Sequence, residues 1–166
     1  MSFSGMVKEE LSRHIGSGRH CRIAELAAIF TFCGSLEAGT DGKKSLRIQT
    51  ENEALSRKGF TLLQKTFNIE TAVSPLRMDC FRKGNLYCIS VTDQALIKEI
   101  LDSLKLEITG ISGETPFVSN SLVYQRDCCK RSFVRGAFLC SGSISDPRKG
   151  YHFEIVCPSQ KIGRQL

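Results

Sequence analysis

The chain repeats itself at an offset of 108 residues. The matching positions share residue type or character, and a Gly-Ser pair closes the match in both copies. They are Cys21 with Cys129, Arg22 with Lys130, Leu26 with Val134, Phe30 with Phe138, Gly34 with Gly142, Ser35 with Ser143 and Leu36 with Ile144. After a one-residue deletion, residues 46–48 fall on residues 153–155 and Asn52 falls on Ser159. Since two amphipathic helices before a glycine turn can match by coincidence, the hairpin that follows each helix is the stronger argument for two related units.

Hydrophobic periodicity predicts an order of elements for the first copy. Helices are expected at residues 4–15 and 21–33, then strands at 35–38 and 45–51, a helix capped by Asn52, strands at 69–79 and 85–91, and a helix capped by Asp93. The second copy repeats the beginning of this order, with a helix at residues 127–141 and a hairpin through residues 146–150. This mixed order predicts an α+β fold with helices on one face of an antiparallel sheet.

The composition of the chain changes at residue 110 and again near residue 126. Residues 1–109 are interpreted as an N-terminal helix plus the first unit, residues 110–125 as a Gly/Ser-rich linker, and residues 126–166 as the start of the second unit. Because the first unit needs about 85 residues, we expect the second to be incomplete and the chain to be a fragment of a longer protein. Apolar surface left uncovered on the second unit could drive self-association.

Small residues recur four apart along both repeated helices. Such a stripe lets two helices approach closely, which predicts that they form the seam of a pseudo-two-fold unit. Phe32 interrupts the stripe in the first copy, and its small members are Ala24, Ala28, Ser132, Gly136 and Cys140.

The charge balance of the chain is basic. The net charge is +6 and the pI is about 9.0, which weakly favours a polyanionic partner. Residues 1–15 are polar, and no window approaches the roughly 20 apolar residues of a membrane span. We therefore expect a cytoplasmic location and no membrane association.

Eight cysteines are distributed along the chain. Most lie in apolar runs, where a reduced cysteine acts as a small hydrophobic residue. The tightest pair, Cys128 and Cys129, consists of adjacent residues, which chelate a tetrahedral ion poorly. Buried thiols are therefore the favoured interpretation and no metal or cofactor is expected, although metal binding and redox chemistry stay open as alternatives.

Two segments at equivalent places in the repeat, residues 27–36 and 133–144, resemble the LAGLIDADG motif of homing endonucleases. That resemblance implies motif helices at the seam, saddle-shaped antiparallel sheets over DNA, and tandem α-β-β-α-β-β-α units, with the second unit truncated here. The family's metal-binding acid stands just before Gly-Ser, where this chain has Cys33 and Ser141. Neither residue supplies the carboxylate oxygen that a hard cation needs, and Glu37 and Asp146 lie beyond the turn, so no nuclease activity is expected.

A more specific resemblance is to the bacterial WhiA family. It rests on residues 1–4, 7–11, 21–28, 128–139 and 142–152. It implies a catalytically inactive, DNA-associated transcription regulator of cell division, sporulation and chromosome segregation, acting at the nucleoid on double-stranded DNA. In longer members a helix-turn-helix domain follows, so the alternative is a protein-interaction or dimerisation scaffold whose DNA binding is done only by that absent domain.

Polar residues on the hairpins are the candidates for nucleic-acid contact. At a saddle surface they would neutralise phosphates and read little sequence, whereas solvation without any ligand is the alternative for each of them. The candidates are Lys43, Lys44, Arg47, Gln49, Arg82, Lys83, Arg148, Lys149 and His152, with a second basic cluster at Arg126, Lys130, Arg131 and Arg135.

Overall fold

The computed structural model describes residues 1–69, 76–81, 86–109 and 117–166. The first part of the chain folds in the predicted order of helix, helix, two strands, helix, two strands and helix. Its elements are α1 (Phe3–Ser12), α2 (Arg19–Cys33), β1 (Gly34–Ala38), β2 (Lys44–Thr50), α3 (Glu53–Phe67), β3 (Leu76–Phe81), β4 (Leu86–Val91) and α4 (Gln94–Leu104). The remaining elements are β5 (Leu106–Ile108), β6 (Phe117–Ser119), a 3-10 helix (Ser121–Tyr124), α5 (Asp127–Ser141), β7 (Gly142–Ile144), β8 (Phe153–Ile155) and α6 (Gln160–Gly163).

Side-chain caps at three predicted positions mark the beginnings of helices. The Asn52 side chain accepts a hydrogen bond from the Leu55 amide at 3.2 Å, and the Asp93 carboxylate accepts one from the Leu96 amide at 2.9 Å. The Ser159 hydroxyl caps α6 in the same way. Each satisfies an amide that the first turn leaves without a helical partner, and the predicted caps are confirmed.

A four-stranded antiparallel sheet in the order β1-β2-β4-β3 forms the first unit. Alternation along β2 buries Leu46, Ile48 and Thr50, while Arg47 and Gln49 lie on the opposite face. The helices α2, α3 and α4 cover the buried face, and Leu55, Leu62 and the apolar side of α4 complete the core. The predicted α+β arrangement is therefore confirmed.

The predicted linker is partly wrong. Residues 117–124, assigned to it from their composition, form β6 and the 3-10 helix, and β6 pairs with β5. The Phe117 ring is fully buried and meets Phe30 edge to face, and the Ser119 hydroxyl lies 2.6 Å from that of Thr31 on α2. Two apolar residues at the end of a polar run were enough to make a strand, because a buried site was available.

The seam between α2 and α5 is the most extensive helix–helix contact among the described residues. A Cβ atom built on Gly136 would lie 2.7 Å from the carbonyl oxygen of Glu25 and 3.0 Å from the Cβ of Ala28. Ala24 and Ser132 are buried on the same stripe, and the partly buried Cys140 thiol lies 4.0 Å from the carbonyl of Ile29. The predicted small residues therefore lie along this contact.

The two hairpins share one register. Gly34 pairs with Ile48 in the first and Gly142 with Ile155 in the second, which agrees with the repeat and its one-residue deletion. The surroundings differ, because Leu26 is fully buried whereas its equivalent Val134 is 38% exposed. Among the described residues, no helix has the combination of length and apolar character that crossing a bilayer requires.

We expect Gly136→Ala to lower the free energy of unfolding by about 1–3 kcal/mol, because its Cβ would meet the backbone of α2 rather than a movable side chain. Urea unfolding followed by circular dichroism measures this. Gly59→Ala is the matched control, since Gly59 is also mid-helix and buried but faces only the methyl tips of Ile89 and Ile48 at 3.2 and 3.6 Å. The control should stay within about 1 kcal/mol of the parent, and equal losses in both variants would contradict the close contact at the seam.

Candidate nucleic-acid interface and the helix seam

The open face of the first sheet carries the predicted residues Arg47 and Gln49. Arg47 is partly buried, and its guanidinium forms an ion pair with Glu37 at 2.9 Å, so its charge is already balanced. Gln49 is exposed, two residues further along β2. At Arg47 this face therefore presents a compensated charge rather than a free positive group.

The β1–β2 hairpin places Lys43 and Lys44 at its end. Both residues are exposed. The Lys43 amide donates to the Asp41 carboxylate at 3.0 Å, and the Lys44 amide donates to the Gln94 side chain at 2.9 Å. The backbone of the hairpin is thus held in place, and both ammonium groups extend into solvent with no ion pair among the described residues.

The β7–β8 hairpin carries Arg148, Lys149 and His152. Arg148 donates to Asp146 at 2.9 Å, a hydrogen bond that lowers the pKa of that carboxyl and raises the pKa of the guanidinium. His152 lies 3.4 Å from Glu154, and Lys149 is exposed. In the repeat, Arg148 and Lys149 fall on the turn of the first hairpin. The structure thus places basic residues at equivalent ends of two hairpins, and Arg82 and Lys83 lie outside the described residues.

The second basic cluster divides into two groups. Arg126, Lys130 and Arg131 are exposed at the start of α5. Arg135 instead turns inward, and its guanidinium lies 3.4 Å from the buried carboxylate of Glu25. The expectation that Arg135 belongs to a basic surface is therefore wrong, because α5 packs that side of its helix against α2.

A buried charge cluster joins four helices at the centre of the seam. The Glu25 carboxylate on α2 forms ion pairs with Lys58 on α3 and Arg135 on α5. Lys58 is fully buried and also donates to the Leu11 carbonyl of α1 at 2.9 Å. Burial lowers the pKa of Lys58, and the Glu25 carboxylate opposes that shift. Sequence analysis missed this cluster, because Glu25 and Lys58 look like ordinary exposed helix residues.

The positions of the degenerate motif acids, Cys33 and Ser141, lie at the far end of the seam. The Ser141 hydroxyl donates to the Val156 carbonyl at 2.7 Å and links the end of α5 to the end of β8. A hydrogen bond from Cys140 lowers the pKa of the Cys33 thiol, and burial raises the pKa of the Cys140 thiol. The Lys8 ammonium of α1 stands beside these two thiols, and burial lowers its pKa.

The two acids near Cys33 and Ser141 are not available as metal ligands, because both are already paired with arginines. Glu37 pairs with Arg47, and Asp146 pairs with Arg148. What this end of the seam offers is therefore a pair of thiols, a hydroxyl and an ammonium, a set that does not resemble the oxygen ligands of a hard cation.

The thiols are less uniformly buried than the sequence predicts. Cys88 and Cys129 are buried and Cys128 is exposed, whereas Cys21, Cys33, Cys140 and Cys157 are partly buried. Cys80 carries no described side chain. Cys128 and Cys129 alone are poorly placed to chelate an ion, but the seam brings His20 and Cys21 beside them. The repeat contained the signal, because His20 falls on Cys128 and Cys21 on Cys129.

An apolar groove of about 500 Å³ runs between α1, α5 and the second hairpin. Its floor is formed by Leu11, Val134, Phe138 and Phe153, and Lys130 and Arg131 lie at its edge. Phe153 stacks on Phe138 with ring centroids 5.6 Å apart, yet it remains 59% exposed. Large exposed apolar side chains in one groove are typical of protein-contact surfaces.

Comparison with known proteins agrees with this geometry. Residues 19–107 match the family described as the WhiA N-terminal LAGLIDADG-like domain, and residues 130–166 match the WhiA LAGLIDADG-like domain. The chain is 41% identical to a "Probable cell division protein WhiA" from Lachnoclostridium phytofermentans, covering 100% of this chain and 53% of the relative. It is 40% identical to the protein of the same name from Desulforamulus reducens, covering 100% of this chain and 51% of that relative. The chain thus spans about half the length of the curated relatives it matches.

Solved structures show the same fold at lower identity. A crystal structure of full-length WhiA from Thermatoga maritima superimposes with a TM-score of 0.65 at 21% identity, covering 99% of this chain and 48% of that one. A crystal structure of an N-terminal LAGLIDADG domain of WhiA gives 0.64 at 19% identity, covering 99% of this chain and 71% of that one.

Lys58→Met should lower the free energy of unfolding by about 3 kcal/mol, because it leaves the buried Glu25 carboxylate with Arg135 as its one remaining ion-pair partner among the described residues. Urea unfolding by circular dichroism gives the value. Lys65→Met on the same helix is the control, since Lys65 is exposed and its loss should cost less than about 0.5 kcal/mol. A Lys58 variant as stable as the control would show that the buried ion pair contributes nothing.

Proposed function

The chain belongs to the WhiA family, and from that premise we propose that it is a non-cleaving, DNA-associated part of a bacterial regulator of cell division. In this role the saddle formed by the sheet and the two hairpins contacts the phosphates of double-stranded DNA. The protein acts at the nucleoid in transcription control, sporulation and chromosome segregation, and its hairpins lend positioning rather than base readout.

The observation that carries the proposal is the placement of basic residues at equivalent ends of two hairpins. Lys43 and Lys44 end the first hairpin, and Arg148 and Lys149 end the second. A pseudo-two-fold pair of basic tips matches the two backbones of a duplex, and each ammonium or guanidinium that meets a phosphate releases counterions. The net charge of +6 supports the same partner.

Ion pairing decides which candidate side chains are available to bind phosphate. Lys43, Lys44 and Lys149 are exposed and form no ion pair with the described residues, so we assign the main phosphate contacts to them. Arg47 and Arg148 would have to share their guanidinium groups with Glu37 and Asp146. Gln49 and His152 serve as further hydrogen-bond donors at the same surface.

The proposal includes no phosphodiester hydrolysis. Cys33 and Ser141 stand where the related nucleases have acids, and the Lys8 ammonium beside the Cys33 and Cys140 thiols disfavours a second cation there. A hard divalent ion needs oxygen ligands, mostly carboxylates, and both nearby carboxylates are paired with arginines.

DNA binding by this chain can be tested by fluorescence anisotropy with labelled duplex DNA at several salt concentrations. The logarithm of the affinity should fall linearly with the logarithm of the salt concentration, and Lys43→Ala/Lys44→Ala should make that slope shallower by up to about 1.8, or about 0.9 per lost phosphate contact. Lys98→Ala is the charge-matched control, because Lys98 is exposed on α4, which covers the opposite face of the sheet.

Equal slopes for the parent and the hairpin variant would contradict the assigned contact residues. No binding at low salt would contradict DNA contact by this chain altogether. A parallel incubation with Mg²⁺, resolved on a denaturing gel, should leave the duplex intact.

The apolar groove favours a second candidate function, a protein-interaction or dimerisation scaffold whose DNA binding is done by a helix-turn-helix domain elsewhere in the full-length protein. Val134 and Phe153 would then contact an apolar surface of a second copy or another protein. The supporting observation is that Val134 and Phe153 stay exposed on a helix and strand whose first-unit equivalents, Leu26 and Leu46, are fully buried.

Sedimentation velocity over a wide concentration range tests self-association. The parent should shift toward a dimer as concentration rises, and Phe153→Ser should weaken dimerisation by about tenfold or more, since an aromatic side chain at a contact centre contributes 2 kcal/mol or more. Ile108→Ser is the control, because Ile108 is 50% exposed on β5, outside the groove. A parent that remains monomeric throughout would contradict self-association through this surface.

A further inference from the structure

Four metal-ligating side chains meet where the first turns of α2 and α5 cross. They are His20, Cys21, Cys128 and Cys129, and their ligand atoms all lie within 4.8 Å of one another. The Cys128 sulfur is 3.5 Å from the Nε2 atom of His20. We propose that these four residues bind a single Zn²⁺ ion in a Cys₃His site that bridges the two halves of the repeat.

The distances fit a tetrahedral zinc ion after small side-chain rotations. With Zn–S bonds of about 2.3 Å and Zn–N bonds of about 2.0–2.1 Å, ligand atoms at tetrahedral angles are about 3.5–3.8 Å apart. The contact between Cys128 and His20 already has that separation, and the widest pair needs to close by about 1 Å. Both residues are exposed, so the ion has an open path to the site.

The repeat explains why four ligands arise from two adjacent pairs. His20 and Cys21 occupy the first turn of α2, and Cys128 and Cys129 occupy the same turn of α5 at the 108-residue offset. One adjacent pair spans too little of a tetrahedron to bind alone. Because the two helices pack closely, each pair supplies one side of the coordination sphere.

The helix dipoles favour thiolates at this position, whereas burial raises the pKa of the Cys129 thiol to about 11. Coordination to a zinc ion would offset that shift, because a metal-bound thiol is deprotonated. The first turn of a helix presents the positive end of its dipole, which stabilises a thiolate. Zinc with three thiolates and one neutral imidazole carries a charge of −1. Arg19 and Arg22 flank the first pair in the sequence, whereas Asp127 and Lys130 flank the second. Sulfur and imidazole ligands without a carboxylate select zinc over Mg²⁺ or Ca²⁺.

The proposed site would act as a structural clasp. It lies at the end of the seam opposite Cys33 and Ser141. Neither Gly18 nor Arg126 makes a side-chain cap hydrogen bond at the start of its helix. The ion would therefore hold together two helix ends that lack a side-chain cap. Zinc binding to the folded chain would therefore raise its thermal stability, because a site assembled only in the folded state adds its binding energy to folding.

The first test is a metal measurement on the reduced chain. After purification under reducing conditions with Zn²⁺ and removal of free metal, inductively coupled plasma mass spectrometry should give about one zinc per chain. Titration with Co²⁺ should produce the visible absorption of tetrahedral cobalt with thiolate ligands, and Zn²⁺ should displace it. Absence of both signals in the fully reduced chain would overturn the proposal.

Variants then assign the ligands. Cys128→Ser and His20→Ala should each lose stoichiometric zinc and the zinc-dependent rise in melting temperature, and both sites are exposed, so the core stays intact. Cys157→Ser is the matched control, since Cys157 is partly buried elsewhere, and it should keep one zinc. Zinc retained by the Cys128 and His20 variants, or lost equally by the control, would overturn the assignment.

A disulfide is the competing use of the same thiols. Mass spectrometry of the chain purified without reductant would reveal a bond between Cys21 and Cys128. If that bond forms quantitatively and the reduced thiols still take up no metal, the cluster is a redox pair and the zinc proposal is wrong.

Discussion

The close approach of α2 and α5 is the constraint on which the rest of this structure depends. At Gly136 the two backbones are too close for any side chain, because an added Cβ would lie 2.7 Å from the Glu25 carbonyl. The same residue, Glu25, turns its carboxylate toward Lys58 and Arg135. A short interhelical distance and a buried charge cluster therefore occur at one point, and together they fix how the other helices are placed around the seam.

That seam makes both of its ends chemically unusual. At one end it brings together a histidine and three cysteines from two helix starts, and at the other it places Cys33 and Cys140 beside Lys8. Each cluster is assembled from both halves of the repeat, since residues on one helix alone cannot surround a ligand. The two hairpins begin at the end of the seam formed by Cys33 and Ser141, and they have the same register. The pseudo-symmetry of the two helices therefore extends to the basic hairpin tips.

The two units nevertheless differ in the elements that pack over their hairpins. The first hairpin continues into a four-stranded sheet under α3 and α4, so Leu26 and Leu46 are buried. Around the second hairpin, α1 covers only part of the equivalent surface, where the Ser4 hydroxyl accepts a hydrogen bond from the Ile144 amide, and Val134 and Phe153 remain exposed. Equivalent positions in the repeat thus have different surroundings, and along α5 the partly buried Arg135 likewise differs from the exposed Arg131.

The sequence by itself determined the elements and their order, because periodicity, caps at Asn52 and Asp93, and glycine turns act within a few residues. It also determined the seam, since small residues four apart suffice to define a close helix contact. Only the tertiary structure decided the strand at residues 117–119, the ion pairs that occupy Arg47 and Arg135, and the cluster around Cys128. The longest of these contacts, between Glu25 and Arg135, joins residues 110 positions apart, and no local pattern reports which distant charge or thiol will become a neighbour.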